Sequence, residues 1–143
     1  MPAVPFKPRD GQYVATAEFY VRYAETDAQG IVHHSSYILW MEEARLNFAR
    51  SVGIDYAEAE RAGRLMSIVE LQTHYHRAMR FGDIVRARCW LESFKSRAMT
   101  FAYNIHRVGD EGVCMSGASR HVCLNREGTI ASWPDSWRAL MTR

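Results

Sequence analysis

Between Ser35 and Gly53 runs the one long helical pattern of the chain, YILWMEEARLNFARSV, and most of the chain beyond it alternates as strand. Tyr37, Trp40, Met41, Ala44, Phe48 and Val52 recur at helical spacing and make an apolar stripe. Ile38 and Leu39 extend that surface around the first turn, so the helix is expected to be wrapped rather than laid on a surface. Glu42, Glu43, Arg45, Asn47 and Arg50 gather later and read as its polar positions. Ser35 and Ser36 suit the start and Gly53 the stop. One such helix near the start of a strand-rich chain calls for a sheet large enough to curl around it.

The strands follow from period-two alternation. Residues 13–23 place Tyr13, Ala15, Ala17, Phe19, Val21 and Tyr23 on one face, and residues 24–34 have turn character at Asp27 and Gly30. A short helix over 55–62 ends at Gly63. Strands are predicted over 65–77, with Leu65, Ser67, Val69, Leu71, Thr73 and Tyr75 on one face, and over 84–94, 98–107 and 113–124. Asn125-Arg126-Glu127-Gly128 turns into a short strand near 129–133, and Pro134 opens a last helical turn. Short connections make neighbouring strands antiparallel. The fold class is α+β: an antiparallel sheet of five to six strands around one long central helix. Residues 1–143 read as a single domain, with 1–11 an irregular, proline-rich arm.

Composition narrows the function. Eighteen basic against 16 acidic residues leave a net charge of +2, too even for a nucleic-acid footprint. Cys89, Cys114 and Cys123 are odd in number and lack C-x-x-C spacing, which argues against a disulfide framework or structural zinc. The N-terminus lacks the apolar run of a signal peptide, and no window approaches the roughly 20 apolar residues of a membrane helix. The expected compartment is the cytoplasm. There is no G-x-S-x-G, G-x-G-x-x-G or P-loop, so α/β-hydrolase, dinucleotide and P-loop readings lack support. His74-x-His76 has no third ligand at convincing spacing, and no metal is assigned.

The informative stretch is Arg22-Tyr23-Ala24-Glu25-Thr26-Asp27-Ala28-Gln29-Gly30-Ile31-Val32-His33-His34-Ser35-Ser36-Tyr37. An acid after a strand is followed by a glycine turn and the start of an apolar helix. A helix start offers unpaired N–H groups and the positive end of its dipole. A carboxylate beside such donors is a workable acyl-transfer site. Asp27 as a plain turn residue, bonded to its own backbone, accounts for the same spacing.

Thr26-Asp27-x-x-Gly30-Ile31-Val32-x-His34-x-x-Tyr37 resembles the signature of the 4-hydroxybenzoyl-CoA thioesterase-like branch of the hotdog-fold superfamily, which includes the Tol-Pal-associated acyl-CoA thioesterases. Glu42-x-Ala44-Arg45, Tyr75-x-Arg77-x-x-x-x-Gly82-Asp83 and Arg120-His121-Val122-Cys123-Leu124-Asn125 extend the resemblance over about residues 14–140. Ala78 and Ala98 depart from it, standing where the family carries proline and often serine. The resemblance implies hydrolysis of an acyl-CoA thioester, with Asp27 as nucleophile or general base and the backbone N–H at His34 polarising the carbonyl. It puts Gly30, Val32 and Tyr37 on the substrate surface, and Tyr37 is equally the first core residue of the helix. Glu42 is read as orienting or structural and Glu43 as solvent-facing. Arg77, Arg80, Lys95 and Arg97 lie near strand ends or turns and are candidates for the CoA phosphates. No cofactor is expected, CoA being part of the substrate. The expected partner is a second copy of the chain, as homodimer or homotetramer, since an open sheet leaves edges that invite pairing. The alternatives are a hotdog hydratase or dehydratase, or a non-catalytic acyl-CoA-binding module.

Overall fold

A computed structural model of the chain describes residues 5–142, so residues 1–4 of the expected arm lie outside the described residues. The elements are β1 (Ala15–Tyr20), α1 (His34–Ser51), α2 (Tyr56–Arg61), β2 (Leu65–Tyr75), β3 (Ile84–Phe94), β4 (Ala98–Arg107), β5 (Val113–Leu124) and α3 (Trp137–Met141). One antiparallel sheet runs in the order β1-β3-β4-β5-β2. The three central strands match the predicted spans to the residue.

Helix α1 buries Tyr37, Trp40, Met41, Ala44, Phe48 and Ala49, the i, i+3, i+4 stripe of a helix facing a core. The sheet answers with alternate residues of its inner face: Val85, Ala87, Cys89 and Leu91 on β3, and Met99, Phe101, Tyr103 and Ile105 on β4. Phe48 meets Phe101 edge-on at 5.5 Å, and Trp40 meets Phe19 of β1 at 6.0 Å. At Gly117 a Cβ would stand 2.6 Å from the Gln72 carbonyl oxygen and 3.1 Å from Met41 Cε. The close approach of helix, β5 and β2 therefore requires glycine there.

The structure corrects the sequence reading of the strands and of the body of α1 at five places. The first strand ends at Tyr20, and Tyr23–Glu25 form a 3₁₀ turn: the last bond to the partner strand, Val21 N–H to the Asp83 carbonyl, falls where that strand gives way to the Arg80–Asp83 turn. The predicted strand near 129–133 is reduced to a bridge between Leu124 and Ile130, so the sheet has five strands among the described residues. In β2 a register shift between Ile68 and Glu70 breaks the alternation. Met66 and Ile68 share the inner face with Leu71, Thr73 and Tyr75, not with Val69. The fourth concerns the wrapping of α1, which is one-sided, since Leu39 is exposed and Ile38 half-buried.

The fifth is Arg45, which is buried rather than solvated. Its guanidinium donates to the Tyr103 hydroxyl at 3.0 Å. Tyr103 Oη lies 2.6 Å from Ser119 Oγ, which lies 2.7 Å from His121 Nε2. Arginine can only donate, so the chain satisfies every hydroxyl when Tyr103 donates to Ser119 and Ser119 to His121. That places the His121 proton on Nδ1. Burial, with the Arg45 charge adding to it, lowers the His121 pKa to about 3, so the imidazole is neutral in the core.

The described part of the arm reaches from β3, where Gln12 Nε2 donates to the Leu91 carbonyl, to β2, where Phe6 meets His74 edge-on. No helix among the described residues is long and apolar enough to cross a membrane.

Candidate active site

The segment between β1 and α1 folds back on itself as a clip. Thr26 bridges Val32, the Asp27 N–H donates to the Ile31 carbonyl at 2.8 Å, and the His33 N–H donates to the Glu25 carbonyl at 2.8 Å. The tip closes with the Gly30 N–H on the Asp27 carbonyl at 3.0 Å, and Gly30 takes φ of +80°, where a side chain is strained. The Asp27 carboxylate caps this tip through Oδ1, which accepts the Gln29 N–H at 2.8 Å. Its Oδ2 has no partner among the described residues, and the residue is half-buried.

The clip sits against the start of α1, which comes earlier than the serines suggested. His33 is the N-cap: its Nδ1 accepts the Ser35 N–H at 3.1 Å, and its carbonyl accepts the Ser36 N–H. His34 is thus the first residue inside the helix, and its own backbone N–H has no partner among the described residues. An unpaired N–H at the first turn is the position expected to favour negative charge. The His34 ring is exposed beside that of His33, and its carbonyl accepts the Tyr75 hydroxyl at 3.0 Å.

Behind the clip, Val32 is buried and donates its N–H to the Met79 carbonyl. Tyr37 is buried with its ring against Trp40 at 4.9 Å and Tyr75 at 5.3 Å. Burial, with the Cys114 thiol adding to it, pushes the Tyr37 pKa up to about 12, so its hydroxyl stays protonated.

A model of the thioesterase-like superfamily matches residues 21–140, nearly the whole chain. The chain belongs to the thioesterase-like superfamily. It is 30% identical over 115 residues to “Putative acyl-CoA thioesterase YneP” of Bacillus subtilis (strain 168), across 80% of this chain and 83% of that one. Among solved structures, a hypothetical protein TT1821 from Thermus thermophilus superposes with a TM-score of 0.83 at 34% identity, covering 89% of this chain and 96% of that one. A variant of 4-hydroxybenzoyl-CoA thioesterase, solved with 4-hydroxybenzoyl-CoA, superposes with a TM-score of 0.82 at 15% identity, covering 90% and 99%; at that identity it speaks to the fold alone. The hotdog fold and the hydrolase class expected from the motif both stand.

The basic residues of this thioesterase do not form one cluster. Arg80 stands beside the clip, with Nη1 3.5 Å from the Gly30 carbonyl and its backbone N–H on Asp83 Oδ2. Arg77 is drawn to Asp110 at 3.1 Å. Lys95 and Arg97 lie in the β3–β4 turn, at the other end of an 11-residue strand, roughly 35 Å of extended chain away. Within one chain the four stand as two pairs, Arg77 and Arg80 at one end of β3 and Lys95 and Arg97 at the other. On α1, Glu42 and Glu43 are both exposed, and Glu43 pairs with Arg50 at 3.4 Å. His74 and His76 are engaged separately, His74 by Phe6 and His76 by the Ser116 hydroxyl at 2.9 Å.

Sequence reasoning passed over Glu25. Glu25 is 5% exposed, and its carboxylate accepts the Arg22 N–H at 2.7 Å and the Trp40 indole N–H at 2.8 Å. An acid two residues before Asp27 reads as solvated turn chemistry; its burial depends on Trp40, 15 residues away.

Proposed function

We propose that this protein is an acyl-CoA thioesterase in which Asp27 supplies the reacting carboxylate and the His34 backbone N–H polarises the thioester carbonyl. The observation that carries the reading is one hydrogen-bonded clip that bears a carboxylate oxygen, Asp27 Oδ2, and leads into a backbone N–H at the head of an 18-residue helix, both without a partner among the described residues. The helix dipole and the N–H favour the negative charge that develops on the carbonyl oxygen. Two routes give the same products. In one, Asp27 attacks the carbonyl carbon, the C–S bond breaks, and water hydrolyses the resulting anhydride. In the other, Asp27 takes a proton from water, which attacks directly. Both release the free acid and CoA thiol. In this reading Gly30, without a side chain, leaves the approach open, and the buried Val32 and Tyr37 behind the clip are assigned to the substrate surface. Within one chain, Arg80 and Arg77 stand at the site's end of the sheet and are assigned to the CoA phosphates.

The functional unit in this reading is at least a homodimer. Strand β2 is an edge of 11 residues that exposes Leu65, Ile68, Val69, Leu71 and Tyr75. A long apolar edge of this kind suits pairing with a second copy. The cytoplasm is the assigned compartment, where three buried free cysteines stay reduced.

Release of free thiol from a panel of alkyl- and aryl-CoAs tests the activity. A thioesterase releases thiol from at least one; a hydratase changes absorbance without thiol, and a binding module does neither. Sedimentation of the active protein tests the assembly: a stable, active species of 16.5 kDa refutes it.

A further inference from the structure

We propose that Glu25 is the positioning residue of the site: its buried carboxylate locks the Asp27 clip to helix α1 and so fixes where Asp27 stands relative to the His34 N–H. This rests on the reading of Asp27 as the reacting carboxylate.

The clip is already closed by backbone bonds, from Asp27 to Ile31, from Gly30 to Asp27 and from His33 to Glu25. Closure alone gives no reason to bury an acid, and burying one is costly unless its oxygens are fully used. Here they are used. Oε1 accepts the Arg22 backbone N–H at 2.7 Å, and Oε2 accepts the Trp40 indole N–H at 2.8 Å and Arg22 Nη2 at 3.3 Å. The Glu25 carbonyl takes two more donors, the His33 N–H at 2.8 Å and the Ser36 hydroxyl at 3.1 Å. One residue therefore holds the exit from β1, the N-cap of α1 and the second turn of α1.

Trp40 is itself fixed, 2% exposed and wedged between Phe19 and Tyr37. The line of support runs from the core through Trp40 to Glu25 and, two residues on, to Asp27. Backbone pairing sets the shape of the clip, and the Glu25–Trp40 bond sets its tilt against the helix. Tilt is what a reacting carboxylate and a carbonyl-polarising N–H must share, since misplacement by an ångström is enough to slow such a reaction severely.

Glu25→Gln is the direct test. Glutamine has one oxygen for donors that two oxygens now serve, so either Arg22 N–H or Trp40 N–H faces an amide NH₂. The expected result is a kcat lower by about tenfold or more, with KM for acyl-CoA within about twofold. Amide exchange reads the clip without reference to activity. Asp27, Gly30 and His33 N–H should exchange about tenfold faster or more, while the N–H groups of Ala98 and Gly128, which close turns elsewhere, stay unchanged. Trp40→Phe removes the indole donor, keeps an aromatic in the core and should move the same two readouts. Adding Glu25→Gln to Trp40→Phe should cost less than the two single effects combined, because one bond is counted in both. If Glu25→Gln does not fold, Trp40→Phe carries the test. Folded variants with wild-type kcat and wild-type exchange at the three amides overturn the proposal. Asp27→Asn turning over like the wild type would instead remove the reading of Asp27, and the inference with it. That result is distinct from unchanged exchange in Glu25→Gln, which removes the inference alone.

Discussion

Two polar clusters border helix α1, and the one that looks less like an active site by residue type is the one assigned the chemistry. Beneath the middle of the helix, Arg45, Tyr103, Ser119 and His121 form a chain in which a serine hydroxyl lies 2.7 Å from an imidazole. At the head of the helix there is an aspartate in a turn and a backbone N–H. Accessibility separates them. Ser119 and His121 are 1% and 0% exposed, and the donor order imposed by Arg45 turns the serine proton toward the histidine with no opening for a substrate. Asp27 and His34 each keep one polar group at the surface without a partner among the described residues. Arg45 Nε and His121 Nδ1 are buried without a partner among the described residues, so it is access and not satisfaction that divides the clusters: unpaired polar groups at an opening can meet a substrate, and those in a closed core cannot.

Asp27→Asn should break the comparison most sharply. Losing a general base lowers kcat by about 10² to 10⁴, and losing a nucleophile by more. The fold should be little affected, because asparagine Oδ1 still accepts the Gln29 N–H. Steady-state thiol release alongside a thermal melt checks both. Turnover near wild type in a folded Asp27→Asn would sink the mechanism.

Ser119→Ala makes the opposite cut. It should leave kcat close to wild type at a temperature where the protein is folded. It interrupts the core chain, leaving the Tyr103 hydroxyl without an acceptor and His121 Nε2 without a donor. Orphaning buried groups of this kind costs about 1–3 kcal/mol, read in a urea titration. A loss of kcat as deep as that of Asp27→Asn, with stability intact, would reassign the chemistry to the core.

How much of this contrast was legible in the sequence depended on whether burial could be inferred locally. The central strands could be placed because each alternates and ends at a turn rich in glycine or charge. Asp27, Gly30 and His34 stood out because their spacing survives in one contiguous motif. Arg45 and Glu25 did not, because each is buried only by a partner far along the chain, Tyr103 and Trp40. The split of Arg77 and Arg80 from Lys95 and Arg97 was equally hidden: all four sit at strand ends, and only topology says which end. The start of α1 was misplaced because His33 caps through its imidazole, a role that Ser35 and Ser36 suggest more strongly by type.

The core cluster carries a pH signature in His121. His121 binds its proton in the folded state only near pH 3, against about 6.5 when unfolded. Between those values the unfolded chain holds the extra proton. Stability is therefore whole above about pH 6.5 and falls as pH drops, by about 1.4 kcal/mol per pH unit from this group. His76 and His106 are lowered in the same direction, each first by burial, and add to the slope. Urea midpoints between pH 7 and 4 for the wild type and His121→Asn isolate its share. Parallel curves would mean that His121 is not held neutral.

The smallest effect belongs to the His34 side chain, and it decides which half of the residue the site uses. The imidazole is exposed, stacked loosely on His33, and makes no hydrogen bond among the described residues. The functional group in this reading is the N–H, which every residue but proline supplies. His34→Ala also keeps the carbonyl that accepts the Tyr75 hydroxyl. Alanine is a good residue inside a first helical turn, so α1 should start where it does now. His34→Ala should accordingly retain most of kcat, within a few fold, while His34→Pro removes the N–H at a position where the helix tolerates proline. A proline variant that folds and loses turnover, beside an alanine variant that keeps it, places the chemistry on the backbone. An alanine variant as inactive as Asp27→Asn would place it on the imidazole, making that ring the aspartate's partner.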